Sequence, residues 1–331
     1  MWTLRLGWRV YADGVDLIVA SDTRRLRIAG AGHFAVMLGG KFEANNTSSY
    51  PGNSIAGLVS SLHKSNLIIE VDSGCDVQNF DASRQNGYFD HVGLDYRRCL
   101  AALTTARVLI VGLGGTGTVI LQHLVAAGIR DFVLVDGDTV HPCNLERQFI
   151  FSLSSIGQLK TAAAAEFILS REPAAKIATH SITLKNYYDL ASIFEISGFI
   201  DIAAVCIDHP PHQAFDMASS ALWDANIKFI HGGVMARSGF FGPFFDCSKS
   251  LHPPSSFSVW NGINPSRHGA EPSQICFAPY NTIISACMAA DMIHSIIGHT
   301  QAIDYQSRTF VDFYRMTITK LTRGQVRQVD V

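Results

Sequence analysis

The residues able to do chemistry stand in one order along a short stretch. Four glycines come first, Gly112, Gly114, Gly115 and Gly117, in "VGLGGTG". Two acids follow, Asp136 and Asp138, in "VDGDTV", then Asn144, Arg147 and Gln148 in "CNLERQ", and last Lys160 in "GQLK". Each type has a reason to be there. Glycines let a backbone turn tightly and approach a phosphate, and the helix that follows points its free amides at the anion. Asp136 lies 22 residues beyond Gly114, the separation at which an acid can hold ribose hydroxyls. The glycines and the acid do not separate a redox dinucleotide from ATP. The next residues do. Hydride transfer wants an apolar pocket there, whereas breaking ATP builds negative charge that Arg147 and Lys160 can neutralise.

These residues need elements to hold them. "VLIV" is an apolar strand running into the glycine turn, "TVILQHLVAAG" a helix ending at Gly128, and "DFVLVD" the next strand, which carries Asp136 at its end. Lys160 opens a helix in "LKTAAAAEFI". "FIDIAAVCI", "IKFIHGG" and "GFFGPFF" are predicted as further strands, and "RTFVDFYRMTITKL" as late strands of the same sheet. "PHQAFDMASSALWDA" and "TIISACMAADMIHSII" are predicted helices, the second nearly free of charge and therefore buried. Ser248 to Pro279 is rich in Ser, Pro, Gly and Asn and is expected to be a long functional loop over the substrate.

The remainder of the chain bounds the class. It has 331 residues, 47% hydrophobic and 16% charged, with net charge -2, an ordinary globular balance. No basic footprint of a nucleic-acid binder is present. The N-terminus lacks the pattern of a signal peptide, and no apolar run is long enough for a membrane span, so the expectation is a cytoplasmic protein that engages neither membrane nor nucleic acid. The seven cysteines include no C-x-x-C pair, which argues against a structural zinc site. The chain is expected to divide at a polar, turn-rich linker over residues 72–87, giving a domain at 1–80 and another at 81–331. The first domain alternates as strands in "MWTLRLGWRV", "VDLIVAS" and "RRLRIAG", has a short apolar segment "HFAVMLGG", a helix through Ile55, Leu58, Val59 and Leu62, and a closing strand "NLIIEV". That is the pattern of a small winged-helix-like module. Residues 1–72 hold seven Lys and Arg against six Asp and Glu, too little positive charge for a phosphate backbone. A peptide added as an extra strand fits better.

The series G-L-G-G-T-G, D-G-D-x-V, N-L-E-R-Q and I-G-Q-L-K resembles that of the E1-like (ThiF/MoeB-type) activating enzymes. The resemblance runs from residue 106 to about 300 and is most pronounced with the branch that modifies ribosomal peptides, as in microcin C7 and pantocin A maturation. It implies an α/β, Rossmann-like ATP-binding domain with a mixed, mostly parallel sheet, behind a leader-peptide recognition domain, in a homodimer. It implies that ATP and magnesium are used to activate a carboxylate by adenylation or phosphorylation. The leading expectation is activation of glutamate side chains in a small ribosomal precursor peptide for condensation. The alternatives are adenylation of a peptide C-terminus and a non-catalytic scaffold. By the same resemblance Asp136 would hold ribose, Asn144, Arg147, Gln148 and Lys160 would line the phosphates, and Asp208 in "CIDHP" would bind magnesium.

Two departures from the family stand out. Only Cys247 lies where a first zinc-binding pair would be. "GYFDH" puts Gly87 and Asp90 where the family carries arginines that reach the partner subunit's ATP, leaving Arg84, Arg97 or Arg98 as substitutes. If a carbanion is formed, His209 or His231 is the candidate base, and Cys247 is a candidate acyl carrier.

Overall fold

The computed structural model describes residues 2–4, 9–14, 16–20, 25–29, 55–65, 67–70, 84–209, 213–257 and 275–322. It separates into two compact units, Met1–Cys99 and Leu100–Val331.

In the first unit, β1 (Trp2–Leu4) pairs antiparallel with β5 (Ile68–Glu70). A separate antiparallel sheet has the order β2 (Arg9–Asp13), β3 (Asp16–Ala20), β4 (Arg25–Ile28). Leu17, Ile18 and Val19 of the central strand are buried, and the buried Asp16 accepts a 2.6 Å bond from Arg27 Nε. Helix α1 (Ile55–Lys64) buries Val59 and Leu62, two members of the expected apolar stripe. Arg84–His91 forms α2, burying Phe89. Helix α3 (Tyr96–Thr105) begins in this unit and ends in the second. The segment "HFAVMLGG" and most of the expected linker lie outside the described residues.

The second unit is built on an eight-stranded sheet. In chain order its strands are β6 (Arg107–Val111), β7 (Asp131–Val135), β8 (Lys176–His180), β9 (Ile202–Val205), β10 (Lys228–Val234), β11 (Ser238–Phe241), β12 (Arg308–Asp312) and β13 (Thr317–Leu321). Their spatial order is β13-β12-β11-β10-β9-β6-β7-β8. The five strands from β8 to β10 pair in parallel, and the three beyond β10 pair antiparallel. This is the mixed, mostly parallel sheet expected. The order reverses at β6, which sits between β7 and β9. Ligand sites in such sheets open at that switch point, beyond the carboxyl ends of the strands.

Strands covered on both faces must be apolar throughout, and β6, β7 and β9 read "RVLIV", "DFVLV" and "IAAV" with all but the first residues of β6 and β7 buried. On one face Leu109, Val133, Ala203 and Phe229 pack against Leu190 and Ile193 of α6 (Tyr187–Ser197) and Ala218 and Leu222 of α7 (Ala214–Asp224). Elsewhere α4 (Gly115–Ala127) packs on α8 (Ala278–Ile296), whose Ile284, Met288 and Met292 are buried as its lack of charge foretold. Helix α5 (Lys160–Arg171) leads into β8.

Two expectations need correction. "GFFGPFF" is a strand only to Phe241, because Gly242 has φ +72° and Pro243 offers no N–H; Phe245 returns to meet Phe229 as an isolated bridge. The long loop from Ser248 contains a 3₁₀ turn at Pro254–Phe257, and α8 already begins at Ala278; its middle, 258–274, lies outside the described residues. Among the described residues no helix is long and apolar enough to cross a membrane.

Candidate nucleotide-binding site

The glycine turn is a close contact of three chain segments. Gly112 has φ +95°, and a Cβ there would stand 2.6 Å from the carbonyl oxygen of Cys206. A Cβ at Gly117 would overlap the carbonyl oxygen of Gly112. Only hydrogen fits at either position. Gly114 caps α4 with no side-chain hydrogen bond, so the free amides of a 13-residue helix face outward where an anion would be welcomed.

Asp136 ties this turn to the next loop. Its Oδ2 accepts from the amide of Leu113 at 2.6 Å and its Oδ1 from the amide of Asp138 at 2.8 Å. Burial raises its pKa, opposed by Lys160 and by these two amides. Lys160, at the first position of α5, is buried, and its Nζ donates to Asp138 Oδ2 at 2.8 Å. Its backbone amide also donates to the Asp138 carbonyl, at 2.9 Å. Asp138 is thus the bracket that holds the lysine beside Asp136.

Asn144 is buried in a 3₁₀ turn, Pro142–Asn144, where its Oδ1 accepts from the amide of His141 at 2.8 Å. Arg147 Nη1 donates to the Cys143 carbonyl at 3.0 Å and to Glu146 Oε1 at 2.8 Å. Gln148 is 2% exposed, and its Oε1 has no hydrogen-bond partner. A buried amide oxygen left in that state is costly, so the loop has unused capacity to bind.

Asp208 and His209 follow β9 and are exposed. Asp208 is two residues past Cys206, whose carbonyl abuts Gly112, which puts it on the edge of the sheet where the glycine turn stands. Among the described residues no cluster of three or more His, Cys, Asp or Glu could hold a metal. A lone carboxylate suits magnesium, which is usually held by one or two carboxylates and the phosphates of its nucleotide.

His231 lies within β10, opposite Val205 of β9, between the rings of Phe215 and Phe240. Burial and the Arg308 charge lower its pKa to about 3, so it is a neutral and weakly basic imidazole. Cys247 donates to the Trp223 carbonyl at 3.6 Å, and burial raises its thiol pKa.

Asn281 lies outside every motif of the sequence considered above. It is 2% exposed in the first turn of α8. Its Oδ1 accepts from Thr116 Oγ1 at 3.0 Å, its Nδ2 has no partner, and it lies against Gly115. A polar residue opening an otherwise apolar helix was the available signal. A cavity of about 350 Å³ opens where α6 and α7 begin, lined by Lys185, Tyr187, Gln213 and Met217 among others.

Comparison with known proteins agrees with this geometry. Over 221 residues the chain is 35% identical to the adenylyltransferase and sulfurtransferase UBA4 of Meyerozyma guilliermondii, covering 65% of this chain and 47% of that protein. Over 167 residues it is 33% identical to the NEDD8-activating enzyme E1 catalytic subunit of Caenorhabditis elegans, covering 46% of this chain and 39% of that protein. The chain thus spans about half the length, or less, of these curated relatives. Among solved structures it resembles E. coli MccB with ATP, with a TM-score of 0.78, 20% identity and coverage of 98% and 97% of the two chains. It also resembles PaaA, with a TM-score of 0.74, 18% identity and coverage of 96% and 98%. At such identities the likeness is one of fold. Residues 83–329 match the ThiF family, and with its sheet order and glycine turn the chain belongs to that E1-like family.

Proposed function

We propose that this chain is an ATP-dependent enzyme that activates a carboxylate of a small ribosomally made precursor peptide. The observation that carries the reading is the joint placement of the uncapped α4 turn, Asp136 and the buried Lys160. Together they offer backbone amides for phosphates, a carboxylate for ribose and a fixed positive charge. Gly112, Gly114, Gly115 and Gly117 shape the phosphate turn, and Asp136 and Asp138 organise the ribose side. The base would enter the cavity beside Lys185. Asn144, Arg147, Gln148 and Lys160 face the phosphates, and Arg147 and Lys160 exchange their partners Glu146 and Asp138 for phosphate oxygens. Asp208 would hold magnesium, which neutralises phosphate charge when bound.

A carboxylate is a poor electrophile because it is anionic and has no good leaving group. Transfer of AMP supplies both corrections, and fixed cations stabilise the departing pyrophosphate. Within this reading the activated group is a glutamate side chain, and His209 is the base that removes the α proton for a condensation. The first unit would bind the leader. Its three-stranded sheet leaves β2 and β4 as edges with mostly exposed residues, which supports recognition by strand addition. The protein would work in the cytoplasm as a homodimer.

The likeness to MccB, which has been solved with the peptide MccA, supports a second reading in which a peptide C-terminus is adenylated. Incubation with ATP, magnesium and the peptide encoded beside the gene, followed by mass spectrometry, separates the two. Loss of water, with or without carbon dioxide, supports glutamate activation. Retained adenylate mass supports the second reading. No change in the peptide and no ATP consumption refutes both.

A further inference from the structure

A buried donor beside the glycine turn is left over once the protein's own hydrogen bonds are made. Asn281 is 2% exposed, and its Nδ2 has no hydrogen-bond partner among the described residues. Leaving a buried amide donor in that state costs stability. A leucine has the shape of asparagine and would fill the same space without that penalty, as the buried Ile284 and Met288 do further along α8. The amide is also held in one orientation. Its Oδ1 accepts from Thr116 Oγ1 at 3.0 Å, which commits the oxygen to α4 and leaves both N–H bonds of Nδ2 to find another acceptor. A Cβ at Gly115 would stand 3.2 Å from Nδ2 and 3.3 Å from Cγ and Oδ1. Gly115 is not among the glycines with positive φ, so its backbone does not require glycine. What the missing side chain provides is room for the Asn281 amide beside the first residue of α4.

The place suits an anion. Gly115 and Thr116 open α4, and Asn281 stands in the first turn of α8, so the N-terminal turns of a 13-residue and a 19-residue helix adjoin. Neither helix has a side-chain hydrogen bond at its N-cap. The positive ends of both dipoles therefore act on one region. A phosphate offers only acceptors, and its oxygens can take the α4 amides and the Nδ2 donor together. Resting on the ATP reading above, we propose that Asn281 is a phosphate-binding residue. Its Nδ2 donates to an oxygen of the phosphate that docks on the first turn of α4, and Thr116 is the positioning residue that holds the amide with its donor free. The nucleotide is then gripped by two helices. One is α4, which follows the glycine turn. The other is α8, which packs Met288 on Gly232 of β10 and Ile284 on Gly239 of β11.

The test uses the full chain with Asn281→Leu, with Thr116→Val and with both substitutions. Binding of ATP with magnesium is measured by titration calorimetry, and melting is measured without nucleotide. Asn281→Leu should weaken ATP binding by about tenfold to a hundredfold, the effect of losing a hydrogen bond to a charged group. Thr116→Val should weaken it by about twofold to tenfold, because the donor remains but is no longer held. The double variant should bind as Asn281→Leu does, since Thr116 acts only through Asn281. It replaces both partners by apolar groups of like shape, so its melting temperature should be no lower than that of the wild type. Wild-type ATP affinity in Asn281→Leu overturns the phosphate contact and leaves the ATP reading standing. Lowered melting in the double variant assigns the pair to packing and overturns the proposal. Losses that add in the double variant overturn the positioning role of Thr116. A wild-type chain that binds no ATP removes the reading on which the proposal rests.

Discussion

Gly114 and Gly117 stand three residues apart in one turn, and the structure gives them different duties. At Gly114 a Cβ meets nothing within 4 Å; at Gly117 it overlaps the Gly112 carbonyl. Gly117→Ala must therefore open the turn or shift α4. Overpacking of this kind costs about 1–3 kcal/mol. At about 2–4 °C per kcal/mol for a unit of this size, the melting temperature should fall by roughly 2–12 °C. Gly114→Ala has no such clash. Its small gain in unfolded-state entropy and the poorer N-cap offered by alanine roughly cancel, so melting should shift by no more than about 2 °C. Its methyl group, however, stands where a phosphate would approach the α4 amides. The loss of a charge-assisted hydrogen bond there, about 1.5–3 kcal/mol, weakens ATP binding roughly tenfold to a hundredfold. Calorimetric melting and ATP titration on the two variants measure both quantities. Wild-type ATP affinity in Gly114→Ala would refute the assignment of the turn to phosphate, and undiminished stability in Gly117→Ala would refute the packing argument.

Other residues give sharp expectations. Lys160→Met should lower ATP–pyrophosphate exchange by about a hundredfold or more with little effect on folding, since its partner Asp138 is 69% exposed; exchange at the wild-type rate excludes the phosphate role. Arg308 is buried under three phenylalanine rings and donates to the carbonyls of Gly242 and Phe257, so Arg308→Met should cost about 2–5 kcal/mol by stranding both carbonyls, read from denaturant unfolding. Asp291 has its pKa raised to about 7 by burial and by Asp304. The folded state then binds more protons than the unfolded state between about pH 4 and 7, so this group's contribution to stability is lost as pH rises through that window. Asp291→Asn should match the wild type at about pH 4 and exceed it by up to about 4 kcal/mol at about pH 8; parallel stability curves for the two proteins would remove the claim.

Much of this was legible in the residues, and the rest was hidden for physical reasons. The buried parallel strands announced themselves because both faces need apolar side chains, as in "VLIV" and "FVLV". Lys160 at the mouth of a helix was equally visible, since Gly157 breaks the chain before it and the run of alanines after it favours helix. The edge strand Lys176–His180 was missed because its solvent-facing residues dilute the pattern, leaving five residues with none fully buried. The helix Tyr187–Ser197 was missed too, although Asn186 caps it by accepting from the amides of Tyr188 and Asp189. The partners of the site residues could not be seen at all. That Asp136 accepts from Leu113, that Asp138 holds Lys160, and that Asn281 meets Thr116 across 165 positions depend on how distant segments are brought together.

The insertion of β6 between β7 and β9 has a temporal consequence. Val108 pairs with Ile202, the Arg107 amide donates to Asp201 across 94 positions, and the wall against Gly112 is the backbone of Cys206. A chain emerging from the ribosome presents its glycine turn long before that wall is made. Contacts so far apart in sequence form late, after the entropy of closing the intervening loop has been overcome. The capacity to bind nucleotide is therefore acquired at a late step of folding, and ATP can select only chains that have joined the two halves of the sheet.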